Sequence, residues 1–214
     1  SGIFVISTVF MFSLPPQPIH DSASDFSSKK LLKNKQYLGF LALLFFIIFA
    51  LYLPQPLTQN FLQEERRLSL GQIGSLGSLS ALGNVVLNLF LGQLGARTGF
   101  LLGQFSVALF AFLIWHGSGM ELFGLGYFLL GGFRSARSLA AAHVNSLVND
   151  AQMGLAYGLT ETVSAFPLIL APPLAGYLYS TDPASPYPFS LLLIFVGIIL
   201  TLIFFPRSTT QLPN

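Results

Sequence analysis

The sequence predicts an all-α integral membrane protein: a six-helix transmembrane bundle with an additional partial helix at its N-terminus. Three observations predict it. Of 214 residues, 53% are hydrophobic and only 8% are charged, against about a quarter charged in an ordinary soluble domain. Mean hydropathy is +0.69. The apolar residues also fall in blocks close to the roughly 20 residues that a helix needs to cross a bilayer. The net charge of +2 is confined to loops and one helix pair, and it forms no basic face of the kind that nucleic acid binding needs. Cysteine is absent, which removes disulfides, thiol catalysis and thiolate metal sites. No second histidine or acid stands at metal-ligand spacing, so neither metal nor cofactor is expected.

The elements follow in order. Residues 1–14 are an apolar run that ends at Pro15-Pro16. A signal peptide would open on a positive region and close on small residues, so the run reads as the end of a truncated helix and the chain as a fragment. Residues 15–36 are a polar cytoplasmic linker, with Pro15, Pro16 and Pro18, then Ser/Asp-rich sequence, then Lys29, Lys30, Lys33 and Lys35. A short amphipathic helix is expected from Ser28. The bundle takes residues 37–206, and residues 207–214 form a tail. The first span, 38–62, carries Pro54 and Pro56, which break or kink it. A charged loop, 63–67, leads to the second span, 70–94. The third runs over 100–115. The fourth and fifth form a central pair over 122–179, joined by the polar turn Asn149-Asp150-Ala151-Gln152. The sixth covers 189–205 and is closed by Pro206 and Arg207.

Alternating spans place the four linker lysines, Arg97 and Arg207 on one side, and Arg66 and Arg67 on the other. The excess of basic residues puts the linker and the C-terminus in the cytoplasm, most simply at the plasma membrane. The third and sixth spans carry no charge in their apolar cores, whereas the first, second, fourth and fifth carry the polar groups. Read as two triplets, each ends in its blandest helix, the pattern of a three-plus-three inverted repeat.

The central pair holds the sharpest signal. Ionisable groups within a hydrocarbon span are costly and usually face a bundle interior or an aqueous cavity. Arg134 and Arg137 lie in the fourth span and Glu161 in the fifth. At 1.5 Å per residue, Arg137 stands about 16 Å from the end of its span and Glu161 about 10 Å from the start of the next. The two can therefore meet at similar depth, with Arg134 one turn away on the same face. Two readings stay open: a substrate- or proton-handling site in which Glu161 changes protonation, or a static salt bridge that fixes packing. A lone pair would satisfy the second, but the second arginine has no obvious acid. His143, near Asn145 and Ser146, reads as an interfacial, hydrogen-bonded histidine rather than a relay.

Softer signals complete the list. Gln55, Gln59 and Asn60 lie at and just after the Pro54-Gln-Pro56 break, with Gln55 and Gln59 four residues apart on one helix face. They either line a transport pathway or meet water at the interface. The second span carries Gly71, Gly74, Gly77, Ala81, Asn84 and Asn88 at helical spacing. This is a stripe suited to close helix packing with asparagine hydrogen bonds across the seam; a cavity-facing role for Asn84 and Asn88 is the alternative. Pro167, Pro172 and Pro173 bend the fifth span.

The turn after the second span reads Gly92-Gln-Leu-Gly-Ala96-Arg97-Thr-Gly99-Phe100-Leu101. It resembles the major facilitator superfamily's loop signature, G-x-x-x-D-R-x-G-R-R. Gly92, Arg97 and Gly99 match, Ala96 replaces the acid, and Phe100 and Leu101 replace the basic pair. The stretches Gly154 to Glu161 and Pro172 to Leu178 look like the start and end of that family's penultimate helix. The resemblance implies the end of a sixth helix, the central linker and the complete C-terminal half, with the N-terminal half of the same chain missing. It also implies alternating access around a midplane site, with the first and fourth spans lining the cavity, the second and fifth gating it, and the third and sixth supporting. Arg97, without its loop acid, is expected to contact a helix-end carbonyl or a lipid phosphate.

The function expected is secondary active transport of a small organic solute across the lipid bilayer, coupled to H+, and not enzymatic. A half-size scaffold working as a homodimer is the alternative. An intramembrane enzyme using Ser118 and His143 is set aside, because the two residues fall at opposite faces of the membrane.

Overall fold

The computed structural model describes residues 31–205. The expected partial helix 1–14, most of the linker and the tail 207–214 lie outside the described residues. What is described is helical, without strands among the described residues, as composition requires.

Helix α1 (Lys35–Tyr52) starts where Asn34 accepts backbone hydrogen bonds from Gln36 and Tyr37 at 3.1 Å. It stops at Leu53, just before Pro54-Gln-Pro56. The short α2 (Thr58–Glu64) follows. Helix α3 (Leu70–Gln93) opens on a capping box formed by Ser69 and Gln72, the reciprocal bond pair that satisfies two orphan N–H groups. Helix α4 (Ala96–His116) follows Gly95, whose φ of +79° lets the chain reverse in a tight turn. The fourth crossing is made by α5 (Met120–Leu130) and α6 (Gly132–His143), interrupted at Gly131. Two short 3-10 turns, Val144–Ser146 and Asp150–Gln152, lead to α7 (Met153–Thr181) and then α8 (Pro186–Phe204).

Five of these helices are long and apolar enough to cross a membrane: α1, α3, α4, α7 and α8. The sixth crossing is α5 and α6 taken together, which at 1.5 Å per residue exceed a hydrocarbon core of about 30 Å. The all-α membrane bundle is therefore the fold of the chain.

The helices pack as two groups. Helices α3, α4 and α5–α6 form one, and α1, α7 and α8 the other; α4 against α8 is the principal junction between them. The first span of each expected triplet thus packs against the second and third spans of the other triplet, an exchange consistent with an inverted repeat.

Several expectations about local structure are corrected. The fourth span is not continuous. Gly131 lies against the Gly83–Asn84 peptide of α3, where a Cβ would collide with backbone, and a Cβ on Gly83 would collide with the Phe128 carbonyl. Among the described residues, nothing packs on the small-residue stripe of α3: Gly71, Gly74, Gly77 and Ala81 are exposed, and Gly74 and Gly77 face open space. The close approach is made at Gly83 instead. Nor do Asn84 and Asn88 bond across a seam; Asn88 Nδ2 donates to Asn84 Oδ1 within the same helix at 2.8 Å. Gln55 and Gln59 share no helix face, because Gln55 sits in the break between α1 and α2. The three prolines of the fifth span lie inside one 29-residue helix, which leaves the expected bend neither shown nor contradicted.

Candidate functional site

The candidate site begins with how α6 is patterned. Its Phe133, Ser135, Ala136, Ala140 and His143 are buried. Small residues allow close packing: a Cβ added to Gly103 of α4 would lie 2.8 Å from the Ala136 Cβ. With one face held against α4, the helix turns Arg134 and Arg137 the other way. Arg137 lies six residues before the end of α6, and Glu161 eight residues after the start of α7. These are depths of about 9 and 12 Å at helical rise.

Arg137 Nη2 donates to Glu161 Oε2 at 2.7 Å. The pair is not sealed: the side chains are 28% and 55% exposed. Arg134 is exposed and forms no ion pair with a described residue. One turn nearer the linker side, the Tyr157 hydroxyl donates to Asn145 Oδ1 at 2.6 Å. Glu161 and Tyr157, four residues apart on α7, therefore both reach the α6 side across a seam where the helices touch little. Chemically, this is a carboxylate on an uncovered side of the bundle, held by one guanidinium, with a second cation about one turn deeper that forms no ion pair with a described residue.

The remaining expected residues scatter. His143 lies on the buried face of α6, stacked on Phe205 with ring centroids 4.1 Å apart and tilted against Phe40 at 5.4 Å. Its Nδ1 is 3.2 Å from Ser146 Oγ, so it is a hydrogen-bonded histidine of the linker-side end and does not join the arginines. Gln55 Nε2 is bonded to the Leu51 carbonyl at 2.8 Å, where it satisfies an end of α1. Gln59 and Asn60 are exposed on α2. Asn84 and Asn88 are half-buried in α3.

In the loop motif, Arg97 Nη2 donates to the Leu202 carbonyl at 2.8 Å. It thereby satisfies one of the carbonyls that the end of α8 leaves without an intrahelical partner. This is the helix-end contact expected once Ala96 replaced the acid. Gly99 is buried where a Cβ would meet the Leu91 carbonyl, whereas Gly92 faces open space. Pro54 and Pro56 mark the α1–α2 break. Pro167 is buried, Pro172 half-buried and Pro173 exposed along α7.

Sequence reasoning missed two sets of residues. The buried Tyr37 hydroxyl bonds the Ala156 carbonyl at 2.7 Å and Thr160 Oγ1 at 3.2 Å, joining α1 to α7. On the far side, Arg66 Nη2 donates to the Trp115 carbonyl and the Tyr179 hydroxyl to Glu64 Oε2 at 2.8 Å. These bonds strap the loop after α2 to the ends of α4 and α7. The spacing of Tyr157 from Glu161 was a readable signal; the long-range partners of Tyr37 and Arg66 were not.

Membrane-crossing helices with an ion pair bridging two of them describe an integral membrane protein. The family model described as Major Facilitator Superfamily matches residues 38–214, and the chain belongs to that family of membrane transporters. A probable peptide/nitrate transporter of Arabidopsis thaliana is 31% identical over 119 residues, covering 54% of this chain and 24% of that protein. The matched stretch spans about a quarter of the relative's length.

Proposed function

We propose that the chain is the C-terminal half of a secondary active transporter that moves a small organic solute by alternating access, coupled to protons. The observation that carries this reading is the Arg137–Glu161 pair at 2.7 Å with the Glu161 side chain 55% exposed. An exposed ion pair contributes little to stability, so this one does little to hold α6 against α7. An accessible one is suited to open when its acid is protonated. In this reading Glu161 takes up a proton from water, Arg137 is released, and Arg134 and Arg137 together present cationic donors to the solute. The linker 15–36 and the tail 207–214 lie in the cytoplasm and the membrane is the plasma membrane, an orientation supported by the placement of the basic residues. The N-terminal half of the same protein supplies the other wall of the pathway.

Because the relative is described as a peptide/nitrate transporter, nitrate and short peptides are the first solutes to assay. In proteoliposomes, uptake driven by an inward proton gradient is expected from the wild type and abolished in Glu161→Gln. Wild-type coupling in that variant contradicts the proton role and leaves the pair as a packing device.

A further inference from the structure

At the linker-side end of the bundle, a cavity of about 1040 Å³ lies along the outside of α1 and α8, beside the end of α6. That volume is at the upper limit of the roughly 300–1,000 Å³ of small-molecule sites. It exists because Gly39 and Ala42, three residues apart on one face of α1, leave no side-chain bulk there. Both are exposed, and a Cβ added to Gly39 meets nothing within 4 Å.

Its lining is graded. At the linker-side end Lys35, Gln36 and Ser146 stand beside Phe204, Phe205 and the buried His143, and the trough beyond is apolar, with Leu43, Phe46 and Leu200 on its walls. From Lys35 to Phe46 the trough follows α1 for about 16 Å, half of a hydrocarbon core of about 30 Å and so the depth of one leaflet. No acidic side chain lines it, and Lys33 lies close to the rim in sequence. One cationic rim, one apolar channel and one leaflet of depth match the parts of a single kind of molecule.

The geometry points to a binding site for an anionic phospholipid of the linker-side leaflet, with its headgroup phosphate at Lys35 and Gln36 and an acyl chain lying over Gly39 and Ala42 between α1 and α8. A free phosphate would leave the trough empty, and a neutral lipid would leave the lysine unanswered. The site is separate from the Arg137–Glu161 pair and does not depend on the transport reading. Near a membrane surface each lysine contributes roughly a fivefold gain in affinity for anionic lipid.

The test is native mass spectrometry of the purified protein titrated with phosphatidylglycerol or phosphatidylcholine. The wild type is expected to retain one phosphatidylglycerol in preference to phosphatidylcholine. Lys35→Ala should weaken phosphatidylglycerol retention about fivefold and leave phosphatidylcholine unchanged. Gly39→Phe combined with Ala42→Phe, which fills the trough, should remove the preferred lipid altogether. Equal retention of the two lipids, or retention that neither variant alters, overturns the proposal and assigns the groove to another occupant, such as a second copy of the chain. Lys35→Ala changes only an exposed side chain in the first turn of α1, so it decides the matter even if the filled groove does not fold.

Discussion

The two helix groups of this bundle are held together in different ways. In α3, α4 and α5–α6, backbone meets backbone. Gly83 lies under the Phe128 carbonyl, and Gly131 against the Gly83–Asn84 peptide. In α1, α7 and α8, side chains do the joining. Tyr37 reaches Ala156 and Thr160, and Phe40 of α1 packs edge-on to Phe205 at the end of α8, with ring centroids 5.9 Å apart. The α7 glycines, Gly154, Gly158 and Gly176, all face open space. The first group is closely spaced. The second is joined to it by the α4–α8 junction, where Gln104 Nε2 donates to Thr201 Oγ1 at 2.9 Å, and by the polar links across the α6–α7 seam. The difference teaches that a glycine in a membrane helix is informative only through what faces it, because there is no hydrophobic drive to bring apolar helices together and packing contacts decide.

The sharpest way to break the comparison is to add bulk to both groups. Gly83→Leu or Gly131→Leu should force α3 and α5–α6 apart at a cost of about 3 kcal/mol or more, read as loss of folded protein by size-exclusion chromatography. Gly158→Leu and Gly176→Leu should elute as the wild type does. Next in size is Tyr37→Phe, which removes the hydroxyl that joins α1 to α7. Because Ala156 and Thr160 keep other partners only in part, it should cost about 1 kcal/mol and lower the thermal midpoint by a few degrees. The smallest effect is expected from Tyr157→Phe, about 0.6 kcal/mol, with a measurable gain in hydrogen exchange at the start of α7. If Tyr157→Phe were the more damaging of the two tyrosine variants, the seam would be the structural joint and α1–α7 the pliant one.

The six crossings were legible because hydropathy over about 20 residues is a strong signal in a chain with so few charges. The Arg137–Glu161 contact was legible too, since helical rise and a short connecting turn put both residues at similar depth, although α6 ends at His143 and Arg137 is about 9 Å rather than 16 Å from that end. What could not be read was long-range. The break at Gly131 arises from contact with Gly83, 48 positions earlier in the chain, and nothing near Gly131 announces it. The Gly71-Gly74-Gly77 stripe has the right spacing for a seam, yet α3 is the least buried of the long helices, and the described residues bring no partner to that face. Asn84 and Asn88, placed four apart, satisfied each other within the helix before any neighbour could.

The central claim is that the Glu161 carboxylate changes protonation during transport and does not merely pin α6 to α7. It is tested most directly by measuring two activities of Glu161→Gln side by side: solute exchange at equal pH on both sides, and accumulation driven by a pH gradient. The account predicts that exchange survives while gradient-driven accumulation falls to background, because a glutamine can still accept from Arg137 but cannot carry a proton. Accumulation at the wild-type level, with its pH dependence intact, would contradict it.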